Sequence, residues 1–185
     1  MIVHLADASV DGPAELHDSF RFEQVFFVGG RTQGEFVSLH DWITQAAASR
    51  ELGDCILQMD IEGWEYESLA AVPSSTLSLF RVLIIEFHFL DELWTGTRGA
   101  AIQSVLLRLL ETHACVHIPP NNCCGAVTYF GVSVPRVMEF TFLRRDRLLS
   151  GGYRHQFPHP EDRDNVAEKP RLLLPSAWRA KAMAR

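Results

Sequence analysis

The sequence predicts an α/β domain built on a doubly wound, mostly parallel sheet. Apolar runs at 55–59 and 82–87 are typical of strands, and segments with helical periodicity lie between and after them. This alternation favours a parallel sheet, because parallel neighbours need a crossover connection. The 185 residues, 47% of them hydrophobic, suffice for one core and are too few for two ordinary domains. We therefore expect one domain over 1–150, followed by a tail over 151–185 that packs on it or is partly disordered.

The N-terminal region predicts two strands. Residues 2–6 form a short apolar run that ends at Asp7, so this strand carries an acid at its carboxyl end. Residues 22–28 form the second run. The glycines at 29, 30 and 34 follow it, but their spacing differs from the G-x-G-x-x-G pattern of phosphate-binding loops. We interpret them as a turn.

A helix is predicted to begin at Ser38. The serine oxygen can accept a hydrogen bond from a free backbone N–H, and Asp41, three residues later, favours the positive helix end. Helical spacing then gives an apolar stripe made of Leu39, Trp42, Ile43, Ala46 and Ala47. We expect this helix to end near Gly53.

The central and C-terminal segments complete the predicted domain. The runs 55–59 and 82–87 are continuous enough to predict strands buried on both faces. A short helix is expected over 64–71 and a longer one around 102–110. Residues 126–134 and 137–143, on either side of Pro135, predict two strands that pair as a C-terminal antiparallel hairpin.

Composition excludes several classes of function. There are 17 Lys and Arg against 23 Asp and Glu, a formal charge of -6, so no nucleic-acid partner is expected. No stretch approaches eighteen apolar residues and no signal peptide begins the chain, which predicts no membrane partner and, by default, a cytoplasmic location. The cysteines lack a C-x-x-C spacing and adjacent cysteines form a strained ring, so reduced thiols are expected at 55, 115, 123 and 124.

Polar residues at strand ends are the candidates for function, since ligands of open α/β sheets bind beyond the carboxyl ends of the strands. Four strand ends carry such residues, namely Asp7, Asp60 with Glu62, Glu86 with His88, and His117 followed by Asn121 and Asn122. For the asparagines the alternative is a tight turn, which their side chains stabilise without any ligand.

Asp60-Ile61-Glu62-Gly63 places two carboxylates on one side of a strand end. The alternative is that Glu62 caps the helix that starts at Trp64. Glu86 and His88 repeat the pattern on the next strand, and the four side chains together suit either a base that removes a hydroxyl proton or a hard divalent cation. The spacing is not a diagnostic metal signature, so the base role is favoured and no metal is expected.

Taken in order, several blocks resemble the FkbM-type S-adenosylmethionine-dependent methyltransferases. The blocks are HLAD at 4–7 with VDGP at 10–13, LQMDIEG at 57–63, IIEFH at 84–88, His117 with NNC at 121–123, PRVMEFT at 135–141, and PHP at 158–160 with Asp162 and Asn165.

The resemblance implies a Rossmann-like class I methyltransferase fold with S-adenosylmethionine as cofactor. By position, Asp7 is implied to contact the cofactor ribose, and Asp60 and Glu62 to line the region where methyl group and acceptor meet. Glu86, His88 and the asparagine pair are implied to shape the acceptor side, with His117 beside them. The catalytic residues expected are Asp60, Glu62, Glu86 and His88, with Asp7 and Asp60 for the cofactor and His117, Asn121 and Asn122 for substrate.

The family also has a first strand and a glycine-rich loop before the Asp7 strand, and we expect both to be missing here. Their absence would expose strand edges or force a new pairing. The expected function is O-methyl transfer to a hydroxyl of a small molecule or sugar. The alternatives are a non-catalytic methyltransferase-like binding protein and a metal-dependent hydrolase built on Asp60, Glu62, Glu86 and His88.

Overall fold

The computed structural model describes residues 2–30, 32–34, 36–48, 54–149, 152–153 and 156–179. Its strands are β1 (Val3–Ala6), β2 (Phe20–Glu23), β3 (Phe26–Val28), β4 (Phe36–Ser38), β5 (Cys55–Met59), β6 (Phe80–Phe87), β7 (His113–His117), β8 (Ala126–Tyr129), β9 (Val132–Pro135) and β10 (Met138–Arg144). Its helices are α1 (Leu39–Ala47), α2 (Glu65–Ala71), α3 (Ser74–Leu77) and α4 (Gly96–Thr112). The predicted mixture of helices and strands is confirmed.

The largest sheet has four strands in the order β5, β6, β10, β7. β5 and β6 pair in parallel, whereas β10 is antiparallel to both β6 and β7. Strands β5, β6 and β7 consequently run in one direction, and their carboxyl ends meet at the same edge of the sheet.

The core lies against one face of this sheet. Alternate side chains of its strands are buried there, including Leu57 and Met59 on β5 and Leu83, Ile85 and Phe87 on β6, and α2, α4 and α1 add further apolar residues. The prediction that β5 is buried on both faces is wrong. Ile56 is 65% exposed, because in the described part of the chain nothing covers the second face of β5.

The N-terminal strands form separate small sheets. β1 pairs in parallel with β2, and β3 pairs in parallel with β4. The single strand predicted over 22–28 is thus divided between two sheets. The glycine segment after it forms a turn as predicted, with positive φ angles at Gly30 and Gly34.

Helix α1 confirms the predicted cap. Ser38 Oγ accepts a hydrogen bond of 3.0 Å from the backbone N–H of Asp41, and Leu39, Trp42 and Ile43 are buried as the stripe predicts. The helix ends at Ala47, and the end predicted near Gly53 lies outside the described residues.

The C-terminal pairing differs from the prediction. Residues 126–134 contain a turn, so β8 and β9 pair with each other while β10 joins the four-stranded sheet. Phe130 and Gly131 both have positive φ, as a two-residue hairpin turn requires. The turn glycine breaks the run that we interpreted as one strand.

Cys123 and Cys124 are joined by a disulfide, so the expectation of reduced thiols is wrong for this pair. Asn121 Oδ1 accepts a hydrogen bond from Cys123 N–H, which folds the chain into a compact turn there. Whether adjacent cysteines can form such a ring depends on the local backbone conformation, which the sequence spacing does not reveal. Cys115 is a free cysteine.

The C-terminal tail packs on the domain over its described residues. Leu174 is buried in the core, and Trp178 Nε1–H donates a 3.1 Å hydrogen bond to Ser133 O. None of the helices in the described ranges is both long enough and apolar enough to cross a bilayer.

Candidate functional site

A group of four carboxylates surrounds one imidazole at the carboxyl ends of β5 and β6. It consists of Asp60, Glu62, Glu65, Glu86 and His88, and we name it the His88 cluster. Two neighbouring parallel strands deliver the sequence-predicted residues here, since Asp60 follows β5 while Glu86 and His88 lie at the end of β6. The four predicted catalytic residues are therefore brought together.

The imidazole of His88 links these carboxylates. Its Nδ1 lies 3.1 Å from Glu65 Oε1. Its Nε2 lies 3.4 Å from Glu62 Oε2 and 4.0 Å from both Asp60 Oδ1 and Glu86 Oε1. A carboxylate only accepts hydrogen bonds, so the contact with Glu65 places a proton on Nδ1, and Nε2 is the nitrogen that faces the other acids.

Glu65 is the residue that sequence reasoning missed. Its side chain is 0% exposed, and Oε1 also accepts hydrogen bonds from the backbone N–H groups of Ile61 (3.2 Å) and Gly63 (3.0 Å). Glu65 thus closes the turn before α2, whereas the N-cap residue Trp64 makes no side-chain cap bond. The alternative reading of Glu62 as the helix cap is wrong, because Glu62 is 85% exposed and approaches His88 instead.

Burial and pairing set the protonation of the cluster. Hydrogen bonding to Glu65, aided by the nearby acids, raises the pKa of His88 against the effect of burial. Burial disfavours the charged form of Glu65, but the hydrogen bonds from His88 and Gly63 outweigh it and lower its pKa. Burial raises the pKa of both Asp60 and Glu86, and the hydrogen bond from Asn121 opposes this in Glu86 only in part.

The turn around the cluster is tightly packed. Gly63 has φ +103°, and a Cβ at this position would overlap Phe89 Cε2. Phe89 and Glu62 themselves have positive φ. Beneath the turn, Tyr66 O–H donates a 2.7 Å hydrogen bond to His88 O and its ring stacks on Phe87. The backbone on both sides of the cluster is therefore anchored to the core.

A polar cleft of about 600 Å³ lies beside the cluster, between the sheet edge and the tail. We name it the strand-end cleft. Glu86 belongs to both the cluster and the cleft, and Glu139 lies next to it on β10. The remaining polar lining comes from His117, Asn121, His159, Glu161, Asp162, Arg163 and Asn165. The cleft and the cluster therefore form one continuous polar region that shares Glu86.

The predicted substrate residues take different positions around this cleft. His117 Nε2 lies 2.8 Å from Asp162 Oδ1, which joins β7 to the tail. Asn121 lines the cleft and donates a 2.8 Å hydrogen bond to Glu86 Oε1.

Asn122 is 5% exposed and is bonded to the tail. Its amide donates to Val166 O (2.8 Å) and Lys169 O (3.1 Å), and its oxygen accepts from Val166 N–H (2.9 Å). This asparagine therefore fixes the tail that forms the far wall of the cleft.

Asp7 follows a strand that belongs to a different sheet from the strands that carry the His88 cluster. It follows β1, which pairs with β2 and not with β5. Its Oδ1 accepts hydrogen bonds from the Ser9 backbone N–H and hydroxyl, both 2.7 Å, and these lower its pKa.

Comparison with protein-family models, curated proteins and solved structures found no significant match to this chain. The chemistry of the site is therefore inferred from its geometry. A half-buried carboxylate and an oriented imidazole beside a polar cleft suit proton removal from a bound hydroxyl, and the same oxygen and nitrogen atoms suit a divalent cation.

Proposed function

We propose that this protein is an S-adenosylmethionine-dependent methyltransferase that acts on a hydroxyl group of a small molecule or sugar. One observation carries the proposal: parallel strands bring Asp60, Glu86 and His88 together at the sheet edge, directly beside a polar cleft. Ligands of open α/β sheets bind at such an edge. The ordered resemblance to FkbM-type enzymes agrees with this placement, and we propose that the sheet is part of a Rossmann-like methyltransferase fold.

Glu86 is the residue we assign to proton removal. Its side chain is 14% exposed and connects the His88 cluster to the cleft, so this carboxylate can contact an acceptor hydroxyl in the cleft. Its raised pKa makes it a stronger base than an ordinary glutamate. Asn121 fixes the orientation of the carboxylate through the bond to Oε1.

The cofactor supplies an electrophilic methyl group when it is bound. Asp60 is 51% exposed at the outer side of the cluster and is the residue we assign to cofactor contact there, with Asp7 assigned to the ribose. His88 contacts Glu62 at 3.4 Å and lies 4.0 Å from both Asp60 and Glu86. Holding the two reactants in line supplies much of the rate enhancement in such a transfer.

The cleft favours an acceptor with several hydroxyl groups. Its lining combines carboxylates, imidazoles, two amides and a guanidinium, which together supply hydrogen-bond acceptors and donors. We assign Asn121 and His117 to its inner wall, and we assign Asn122 to holding the tail in place. A sugar or a polyol matches this lining better than an apolar acceptor.

A non-catalytic binding protein is the second candidate. The observation that favours it is the position of β1, which forms a separate sheet with β2 and leaves Asp7 unconnected to the four-stranded sheet among the described residues. A metal-dependent hydrolase is the third candidate, favoured by the convergence of Asp60, Glu86 and His88.

Transfer of a labelled methyl group tests the proposal. We expect the protein to move label from S-adenosylmethionine into a polyhydroxyl small-molecule fraction of a cell extract. Glu86→Gln should lower the rate by about 10²- to 10⁴-fold, as the loss of a general base does. Glu67→Gln on the exposed side of α2 is the matched control and should leave the rate unchanged. Label in no fraction, or equal labelling by Glu86→Gln, would refute the proposal.

A further inference from the structure

The four carboxylates of the His88 cluster carry more negative charge than its one imidazole offsets. Four carboxylates lie around one imidazole, and in the described part of the chain every salt bridge of these four acids involves His88. Like charges held this close repel one another, which is costly unless a cation or protons offset them.

Three of these side chains converge on one point. One ligand atom from each of Asp60, Glu86 and His88 lies within 4.8 Å of the other two, so all three can contact a single ion after small side-chain movements. The imidazole distinguishes this group from a patch of surface acids. Its Nε2 is the atom that faces both carboxylates, at 4.0 Å from each.

Glu65 provides a second, independent observation. Its carboxylate is fully buried, and Oε2 has no hydrogen-bond partner among the described residues. Histidines that bind metal commonly donate their other ring N–H to a carboxylate, which fixes the tautomer and leaves the opposite nitrogen free to bind. The 3.1 Å contact between Glu65 Oε1 and His88 Nδ1 has this arrangement.

We propose that Asp60, Glu86 and His88 bind a divalent transition-metal ion, with Glu65 as the buried carboxylate that orients His88. Two carboxylates and one imidazole favour Mn²⁺ or Zn²⁺ over Ca²⁺, which prefers six to eight oxygen ligands. Bound there, the ion lies where Glu86 meets the strand-end cleft and can hold a ligand hydroxyl or water. The ion would share Asp60, Glu86 and His88 with the proposed methyl transfer, but its binding is measured without the cofactor, so the two proposals can fail separately.

Calorimetric titration of the full chain with MnCl₂, after chelator treatment and without S-adenosylmethionine, tests this site. We expect saturable binding of one ion per chain, and about tenfold or greater weakening in both Asp60→Asn and Glu86→Gln. Glu67→Gln, which removes an exposed carboxylate from the same helix as Glu65, should bind as the wild type does. Circular dichroism of each variant confirms that it is folded.

Thermal unfolding gives a second readout without activity, since an ion that binds only the folded chain raises its unfolding temperature. We expect Mn²⁺ to raise it in the wild type and in Glu67→Gln but not in Glu86→Gln. Absence of saturable binding at millimolar Mn²⁺, or equal binding by Asp60→Asn, Glu86→Gln and the wild type, would overturn the proposal. Tighter binding of Ca²⁺ than of Mn²⁺ would overturn the assignment of His88 as a ligand.

Discussion

Removing the buried carboxylate of Glu65 should destabilise the protein strongly. Oε1 accepts three hydrogen bonds, from Ile61 N–H, Gly63 N–H and His88 Nδ1. Glu65→Ala leaves these donors without an acceptor, at about 1 kcal/mol for each backbone group and about 2 kcal/mol for the ionic one. The expected loss in the free energy of unfolding is therefore about 4 kcal/mol, as for breaking a buried ion pair. Glu65→Gln keeps an acceptor oxygen and should lose about half as much.

Urea denaturation at pH 7, followed by circular dichroism, measures these losses. Glu67→Ala is the matched control, because it removes a glutamate from the same helix at an exposed position and should change stability by about 0.5 kcal/mol or less. If Glu65→Ala were no more destabilising than Glu67→Ala, the inferred role of Glu65 in closing the turn and orienting His88 would be refuted.

Three further predictions concern the turn, the sheet and the tail. Gly63 and Gly30 have similar positive φ angles of +103° and +105°, but an added Cβ overlaps Phe89 only at Gly63. We therefore expect Gly63→Ala to lower the free energy of unfolding by about 2–3 kcal/mol and Gly30→Ala to lower it by about 1 kcal/mol, and the two losses to become similar once Phe89 is replaced by Ala. Equal losses with Phe89 present would contradict the packing. Burial lowers the pKa of His113, so its contribution to stability is present above pH 6.5 and is lost as pH falls through that value, because the unfolded chain takes up a proton first. Between pH 7 and about 5, the free energy of unfolding should therefore fall more steeply in the wild type than in His113→Gln. Parallel curves in denaturation experiments would contradict this prediction. Asn122→Ala should make the tail about tenfold more sensitive to limited proteolysis, whereas unchanged cleavage would show that its three bonds do not hold the tail.

Much of the fold is predictable from local signals in the sequence. The cap of α1, the strand ends at Asp60 and Glu86 and the helix after Gly63 follow from side-chain chemistry and periodicity, and the structure confirms them. Partner choice between strands is a long-range property, so the separate hairpin of β8 and β9 and the placement of β10 were predicted incorrectly. The burial of β5 was predicted incorrectly for the same reason, because an apolar run does not reveal which neighbouring elements cover each face of the strand.

The cluster was predictable in part for similar reasons. The predicted residues lie at strand ends, where α/β proteins bind their ligands, and they are Asp60, Glu62, Glu86 and His88. Glu65 lies one turn later, where an acid at a helix start has an ordinary explanation. Its two backbone bonds and its contact with His88 depend on the left-handed conformation of Glu62 and Gly63, which the sequence indicates only through the glycine.

Calorimetric titration of the purified protein with S-adenosylmethionine is the decisive test of the proposed methyltransferase activity. We expect saturable binding that Asp60→Asn weakens by about tenfold or more, while Glu67→Gln leaves it unchanged. A titration without binding heat at cofactor concentrations up to about 1 mM, in a protein that is folded by circular dichroism, would contradict the methyltransferase proposal.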